Sequence, residues 1–244
     1  MKSTGNTILI TGGTSGIGLG FAERFLKLDN RVIICGRRRE RLEQIKEKHP
    51  EIETIVCDVT DPKQRKTLRD RVVRNLPETN ILMNNAGIQL RIDLTKPVDL
   101  EKVKIEIETN LTAPVHLISL FAKHLASKKE AAIINISSGL AFAPVSPMPV
   151  YCATKAAIHS LTLSLRHQLR ATSVKVFEIA PPAVDTELGH QQRTDKLQSH
   201  GGIPVSEFID ESMKAIESDT LEAAIGMAKD LREKREELFK FMNR

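Results

Sequence analysis

The sequence predicts an α/β fold: a doubly wound parallel sheet of about six strands with helices on both faces and a C-terminal helix instead of a seventh strand. Three observations lead there. Short β-branched runs alternate with longer helical patterns along the 244 residues. Several of those runs are apolar without alternation, as strands covered on both faces must be. A glycine-rich turn, Thr11–Gly18, joins the first run to the first helical pattern. Chains of this length and class commonly form one domain, and one this long buries a core without disulfides or metals. A composition 41% hydrophobic and 27% charged excludes a disordered chain. With no tryptophan and one tyrosine, aliphatic side chains must fill the core.

Taken in order, the strand-like runs are Thr7–Thr11, Arg31–Cys35, Ile52–Cys57, Ile81–Met83, Ala132–Ser137 and Val174–Ile179. Helical patterns cover 17–28, 38–48, 62–75, 100–128 and 150–171. The fourth reads as two helices, because Pro114 falls inside it and suits a helix start. A polar, aperiodic stretch around Gly189–Gly202 marks 186–215 as a mobile substrate loop within the single domain 1–244. Thr220–Arg244 reads as one charged amphipathic helix.

Several function classes recede. The three cysteines form no C-x-x-C pair and lie inside element-like stretches, which fits a reduced, cytoplasmic protein. The N-terminus has no secretory h-region, and no run approaches the roughly 18 apolar residues of a membrane span. A formal charge of +5 accompanies no nucleic-acid motif, so no nucleic-acid partner is expected. The histidines, including His159, His167, His190 and His200, show no metal-ligand spacing, so no metal is expected.

The turn Thr11-Gly12-Gly13-Thr14-Ser15-Gly16-Ile17-Gly18 points to a dinucleotide. Glycines there allow a sharp bend and close approach of a pyrophosphate, while the helix N-terminus offers free N–H groups. An acid about 20 residues on would bind a ribose 2′-hydroxyl. This chain instead has Cys35-Gly36-Arg37-Arg38-Arg39, so Arg37 is read as a partner for a 2′-phosphate and NADP(H) is favoured over NAD(H). Arg38, Arg39 and Arg41 read as a helix start with Glu40 and Glu43 as exposed partners.

Tyr151-Cys152-Ala153-Thr154-Lys155 supplies the chemistry. Residues i and i+4 share a helix face, so the Lys155 ammonium lies near the Tyr151 phenol and favours its ionised form. A phenol so tuned can exchange a proton with a carbonyl or alcohol. Ser138 follows a strand end, where such sheets present ligands. Cys152 points away around the helix and reads as a packed thiol. Leu140, Phe142, Val145 and Met148 are either a substrate wall or core.

Together these segments resemble the short-chain dehydrogenase/reductase family, with its Rossmann-like fold. They are the turn Thr11–Gly18, the element Asn84–Gly87, Asn110, Ser138, and the pair Tyr151 and Lys155. The resemblance implies that Tyr151 is the general acid/base, Lys155 its modulator and a ribose ligand, Ser138 the orienter of the substrate oxygen, and Asn110 a water holder. It also implies a cofactor cleft lined by Gly12, Thr14, Ser15, Ile17, Gly18, Arg37, Asp58, Val59, Asn85, Ala86, Gly87, Tyr151, Lys155, Pro181, Val184 and Thr186. Asp58 would face the adenine, although a helix-capping role before Asp61-Pro62 is the alternative. Pro181-Pro182 replaces the family's Pro-Gly, and the expected lack of a last strand questions a tetramer, leaving a homodimer through 100–128 and 150–171. Ser137–Phe142, Tyr151–His159 and Ala180–Val184 are most similar to the DltE-type oxidoreductase branch, named for a link to teichoic-acid D-alanylation. The expected function is carbonyl–alcohol interconversion on a small molecule. A non-catalytic NADP(H)-binding sensor or scaffold is the alternative.

Overall fold

The computed structural model describes residues 1–189 and 201–244. Among the described residues seven parallel strands form one sheet in the order β3-β2-β1-β4-β5-β6-β7. They are β1 (Thr7–Thr11), β2 (Arg31–Gly36), β3 (Glu53–Val56), β4 (Ile81–Asn84), β5 (Ala131–Ile136), β6 (Val174–Ala180) and β7 (Glu222–Ala224). The helices are α1 (Gly16–Lys27), α2 (Arg39–Lys48), α3 (Pro62–Asn75), α4 (Leu100–Ile107), α5 (Ala113–Ala126), α6 (Pro149–Gln168), α7 (Val205–Glu217), α8 (Ala228–Lys234) and α9 (Phe239–Met242).

The apolar runs divide between two cores by the two-residue alternation of strand side chains. Ile8, Ile10, Ile34, Met83, Ile134 and Phe177 face one layer with Phe21, Phe25, Phe208 and Met213. Leu9, Ile33, Leu82, Ile133 and Val176 face the other with Leu68, Val72, Leu117, Phe121 and Leu165. Both faces of the central strands are therefore dry, which is why their sequence shows no polar alternation. The chain builds β2 and β3 on one side of β1, then crosses to build β4 on the other. That reversal opens a crevice at the carboxyl ends of β1 and β4, where sheets of this kind bind ligands.

Two expectations need correction. A seventh strand exists: β7 pairs with β6 through Glu178↔Glu222, Ile179↔Ala223 and Ala180↔Ala224. Glu-Ala-Ala carries no β-branched signal, so tertiary pairing rather than propensity makes it a strand. The C-terminal stretch is consequently β7, α8, a 3₁₀ turn at Arg235–Leu238 and the short α9, not one helix. Second, 205–215 belongs to α7, whose Phe208, Ile209, Met213 and Ile216 are buried against the core. The expected loop therefore ends near Pro204, and its residues 190–200, with His190 and His200, lie outside the described residues. The expected division of 100–128 into two helices holds. A π-helical turn, Glu108–Thr112, joins α4 to α5, and Pro114 sits in the first turn of α5. Among the described residues no helix is long and apolar enough to cross a membrane.

Candidate active site and cofactor cleft

The glycine turn is held shut from below by the end of β4. Gly12 has φ +67°, and a Cβ there would stand 2.8 Å from Ala86 Cα. Thr11 Oγ1 accepts the Asn85 and Ala86 N–H groups at 3.1 Å each. Asn85 Nδ2 in return donates to Thr11 O at 2.9 Å and Gly12 O at 3.2 Å. Asn85 and Ala86 thus fix the turn through the backbone, and Gly87 lies beside Asn110 and Lys155. Ser15 begins α1 without a side-chain cap, and the first turn carries no acid. Uncapped N–H groups and a positive helix end beside such close backbone packing suit a pyrophosphate. The residues present therefore fit a dinucleotide.

The arginines divide differently from the sequence reading. Arg37 is exposed. Arg38 instead turns over the glycine loop, donating from Nη2 to Thr14 Oγ1 and Ser15 Oγ at 3.0 Å each. Arg38 and Arg41 pair with Glu187, at 3.2 and 2.7 Å, rather than with Glu40 and Glu43. These two guanidiniums hold the Glu187 carboxyl below its ordinary value. Beyond β3, Asp58 Oδ1 accepts Thr60 N at 2.9 Å and Thr60 Oγ1 at 2.8 Å, and Val59 is buried. Capping of α3 falls to Asp61, which accepts from Lys63 and Gln64. After β6, Pro181 O accepts Gly139 N at 2.8 Å. Val184 bridges to Ile203, and the Thr186 methyl packs against Gly16. Pro182 lies against Gly226 in the β7–α8 connection. Ile17 is half-buried at the start of α1.

The four candidate catalytic residues converge at the carboxyl end of β5. Tyr151 and Lys155 are each 5% exposed, and Lys155 Nζ stands 5.7 Å from the centre of the Tyr151 ring. Lys155 Nζ donates to Ile136 O at 2.9 Å. Ser138 Oγ accepts Leu140 N at 3.1 Å and is hydrogen-bonded to Tyr151. Burial pushes the Tyr151 phenol well above its ordinary value, and the Ser138 bond draws it partly back. This is opposite to the lowering expected from the Tyr–Lys spacing, and desolvation is its largest cause. Burial likewise lowers Lys155 to about 8, against an opposing field from Glu178.

Asn110 is placed by the π-helical turn, a device common at functional positions. Its Oδ1 accepts Ile88 N and its Nδ2 donates to Ile88 O, both at 2.9 Å, with a further bond to Thr154 Oγ1 at 3.2 Å. Cys152 is a packed thiol, its Sγ accepting Val145 N at 3.5 Å. A cavity of about 960 Å³ opens beside the start of α6, with Leu140, Phe142 and Val145 on its wall together with Leu94 and Phe239. Met148, Tyr151 and Ser138 are not part of that wall, so the cavity adjoins the reacting groups rather than holding them.

Sequence reasoning passed over two buried carboxylates. Glu106, one turn before Asn110, is fully buried, accepts Leu90 N at 2.8 Å, and is raised by burial to about 7. Glu178, in the middle of β6, is also fully buried. An acid among the apolar Phe177, Ile179 and Ala180 was the available signal in VKVFEIA.

A sequence profile described as short chain dehydrogenase matches residues 6–197. The chain belongs to the short-chain dehydrogenase family. Over 250 aligned residues it is 48% identical to the oxidoreductase DltE of Bacillus subtilis (strain 168), covering 100% of this chain and 98% of that one. A short-chain dehydrogenase from Sphingobium yanoikuyae, solved with NADPH, superposes with TM-score 0.83 at 27% identity, covering 92% of this dehydrogenase and 91% of the other. One from Burkholderia cenocepacia, solved with NADP, gives TM-score 0.82 at 27% identity over 96% and 94% of the two chains. This dehydrogenase is thus an oxidoreductase with nicotinamide-binding structural neighbours, most similar to the DltE-type branch expected from its motifs.

Proposed function

We propose that the protein is an NADP(H)-dependent oxidoreductase that interconverts a carbonyl and an alcohol, with Tyr151 as general acid/base. The observation that carries this reading is the meeting of buried Tyr151, Lys155, Ser138 and Asn110 beside the crevice between β1 and β4. The bound nicotinamide supplies or accepts the hydride, which is the cofactor's own chemistry. Tyr151 Oη gives its proton to the carbonyl oxygen during reduction and removes it from the alcohol during oxidation. Ser138 Oγ orients that oxygen. Lys155 supplies a positive charge next to the phenol, favouring phenolate as the proton leaves. Asn110 clamps the Ile88 backbone and so sets the wall of the site.

NADP(H) is preferred on this reading because guanidinium groups follow β2 where an acid would be needed for a 2′-hydroxyl. Arg38 is the better placed of them, lying over the phosphate turn, with Arg41 beside it. The NADP-bound relatives at 27% identity support that choice. The protein is further read as cytoplasmic, its three cysteines being free and buried. It is read as a homodimer packed through α4, α5 and α6, where Ile105, Ile107, Val115 and Leu163 are exposed.

Titration with NADPH and NADH, followed by nicotinamide fluorescence, tests the reading before any substrate is known. Tighter NADPH binding supports it and justifies a screen of small carbonyl compounds with wild-type protein and Tyr151→Phe. Preference for NADH overturns the arginine assignment. Binding without turnover of any carbonyl or alcohol favours the redox sensor instead.

A further inference from the structure

The field of a carboxylate on Lys155 comes from a residue with no place in the mechanism above. Glu178 lies mid-strand in β6, where Val176, Phe177, Ile179 and Ala180 around it are buried and apolar. Its carboxylate is fully buried. Oε2 bonds His159 Nδ1 at 2.8 Å, while Oε1 has no hydrogen-bond partner among the described residues. Isolated carboxylates avoid such surroundings, because burial strips water from the charge without replacing it. Something must therefore offset it.

The offsetting group is one helical turn from His159. Lys155 and His159 are i and i+4 on α6, so both side chains project from one face onto the sheet. Lys155 Nζ is fastened to Ile136 O on β5. In the parallel register Asn135 faces Glu178 and Ile136 faces Ile179, which sets the ammonium one strand away from the carboxylate. Glu178 is the charged group acting on Lys155.

The surroundings close the circuit on the far side. Glu222 of β7 lies directly opposite Glu178 and is bound by Arg232 Nε of α8 at 2.6 Å. The Arg232 guanidinium stacks 5.1 Å from the Phe142 ring, and that ring meets His159 edge-on at 4.8 Å. Ligand atoms of His159, Glu178 and Glu222 come within 4.8 Å of one another, a spacing that also suits a metal ion. Two carboxylates facing Lys155 and Arg232 are already balanced in charge, however, so the cluster needs no cation.

We propose that Glu178, oriented by His159, is a positioning residue for the catalytic lysine: a buried counter-charge that keeps the Lys155 ammonium protonated and aimed toward Tyr151. The pairing rests on how α6 and the β5–β6 register place the two side chains, while its consequence for turnover rests on the oxidoreductase reading.

The test separates the two. Protein labelled with ε-¹³C lysine is titrated by NMR from neutral to alkaline pH, with Lys155→Met identifying the resonance. Glu178→Gln, which keeps size and hydrogen bonding but removes charge, lowers the Lys155 midpoint by about one unit or more. Glu178→Asp restores most of it, and Glu222→Gln moves it far less. An unmoved midpoint in Glu178→Gln overturns the proposal; should that variant misfold, His159→Gln gives the same reading from the carboxylate's partner. In turnover, Glu178→Gln moves the rising limb of alcohol oxidation to higher pH, because a less charged lysine stabilises phenolate less. A loss of rate equal at every pH marks a merely structural role and also overturns the proposal. A shifted NMR midpoint in a protein without turnover supports the pairing while refuting the oxidoreductase reading.

Discussion

Gly18→Ala isolates the phosphate turn from the rest of the fold. A Cβ at Gly18 overlaps Asn85 Nδ2 and stands 2.5 Å from Gly12 O. Asn85 can swing away, but only by giving up its bonds to Thr11 O and Gly12 O, each worth about 0.5–1.5 kcal/mol. The Gly12 carbonyl is backbone and moves only with the turn. Overpacking of this kind costs about 1–3 kcal/mol, so the two effects together reach roughly 2–6 kcal/mol. For a chain of this size that lowers Tm by roughly 4–24 °C. Displacing the N–H groups that face the pyrophosphate weakens NADPH by at least about tenfold, or roughly 1.4 kcal/mol. Gly5→Ala is the control: φ is +71° but no atom lies within 4 Å of the new Cβ. It costs about 1–2 kcal/mol of backbone strain and leaves the cofactor site alone. Thermal denaturation and NADPH fluorescence titration read both variants. If Gly18→Ala binds NADPH like wild type, or Gly5→Ala weakens it equally, the account of the turn is refuted.

Tyr151→Phe keeps the ring and removes the proton donor, so kcat falls by about 10²-fold or more while NADPH affinity stays within about threefold; steady-state kinetics and titration check both. Arg38→Ala weakens NADPH by about tenfold or more and NADH by much less, whereas Arg37→Ala changes either by less than about threefold, as paired titrations would show. Burial raises Glu106 from 4.5 to about 7, so the folded state holds a proton that the unfolded chain releases. Its contribution is full below pH 4.5 and is lost as pH rises through about 7, a swing of up to roughly 3 kcal/mol. Urea denaturation at acid and alkaline pH should therefore show Glu106→Gln gaining stability relative to wild type only on the alkaline side.

What the sequence disclosed depends on how local each signal is. Strands β1, β2 and β5 read correctly because runs such as Ile8-Leu9-Ile10 and Ile133-Ile134 are apolar on both faces and need no partner to be recognised. Helix α3 was legible to the residue, since Asp61 and Pro62 mark its start. β7 was not, because Glu222-Ala223-Ala224 becomes a strand only by pairing with β6. The same distinction holds in the site. Tyr151 and Lys155 are neighbours on one helix, so spacing alone brings them together. The placement of Arg38 over the glycine turn could not be read from spacing, because its partners, Thr14, Ser15 and Glu187, are distant in sequence.

The buried polar groups of this chain are unevenly spread, and their distribution separates scaffold from site. Around β1 and β2 the interior is apolar, and the buried Asn6 and Asn30 are bonded to one another. Around α6 it is not. Asn135 links Asn84 to Thr162, Asn110 reaches Thr154, and Glu106, Lys155 and Glu178 are buried ionisable side chains. A core selected for stability alone would replace most of these with leucine or valine, because each half-satisfied group costs about 1–3 kcal/mol. Glu106 Oε2 and Glu178 Oε1 both lack partners among the described residues. They flank the Tyr151–Lys155 face from opposite sides, one on α4 and one on β6. The helix that carries the tyrosine is thus embedded among ionisable groups that its own sequence does not supply, while burial itself does most to raise the Tyr151 phenol.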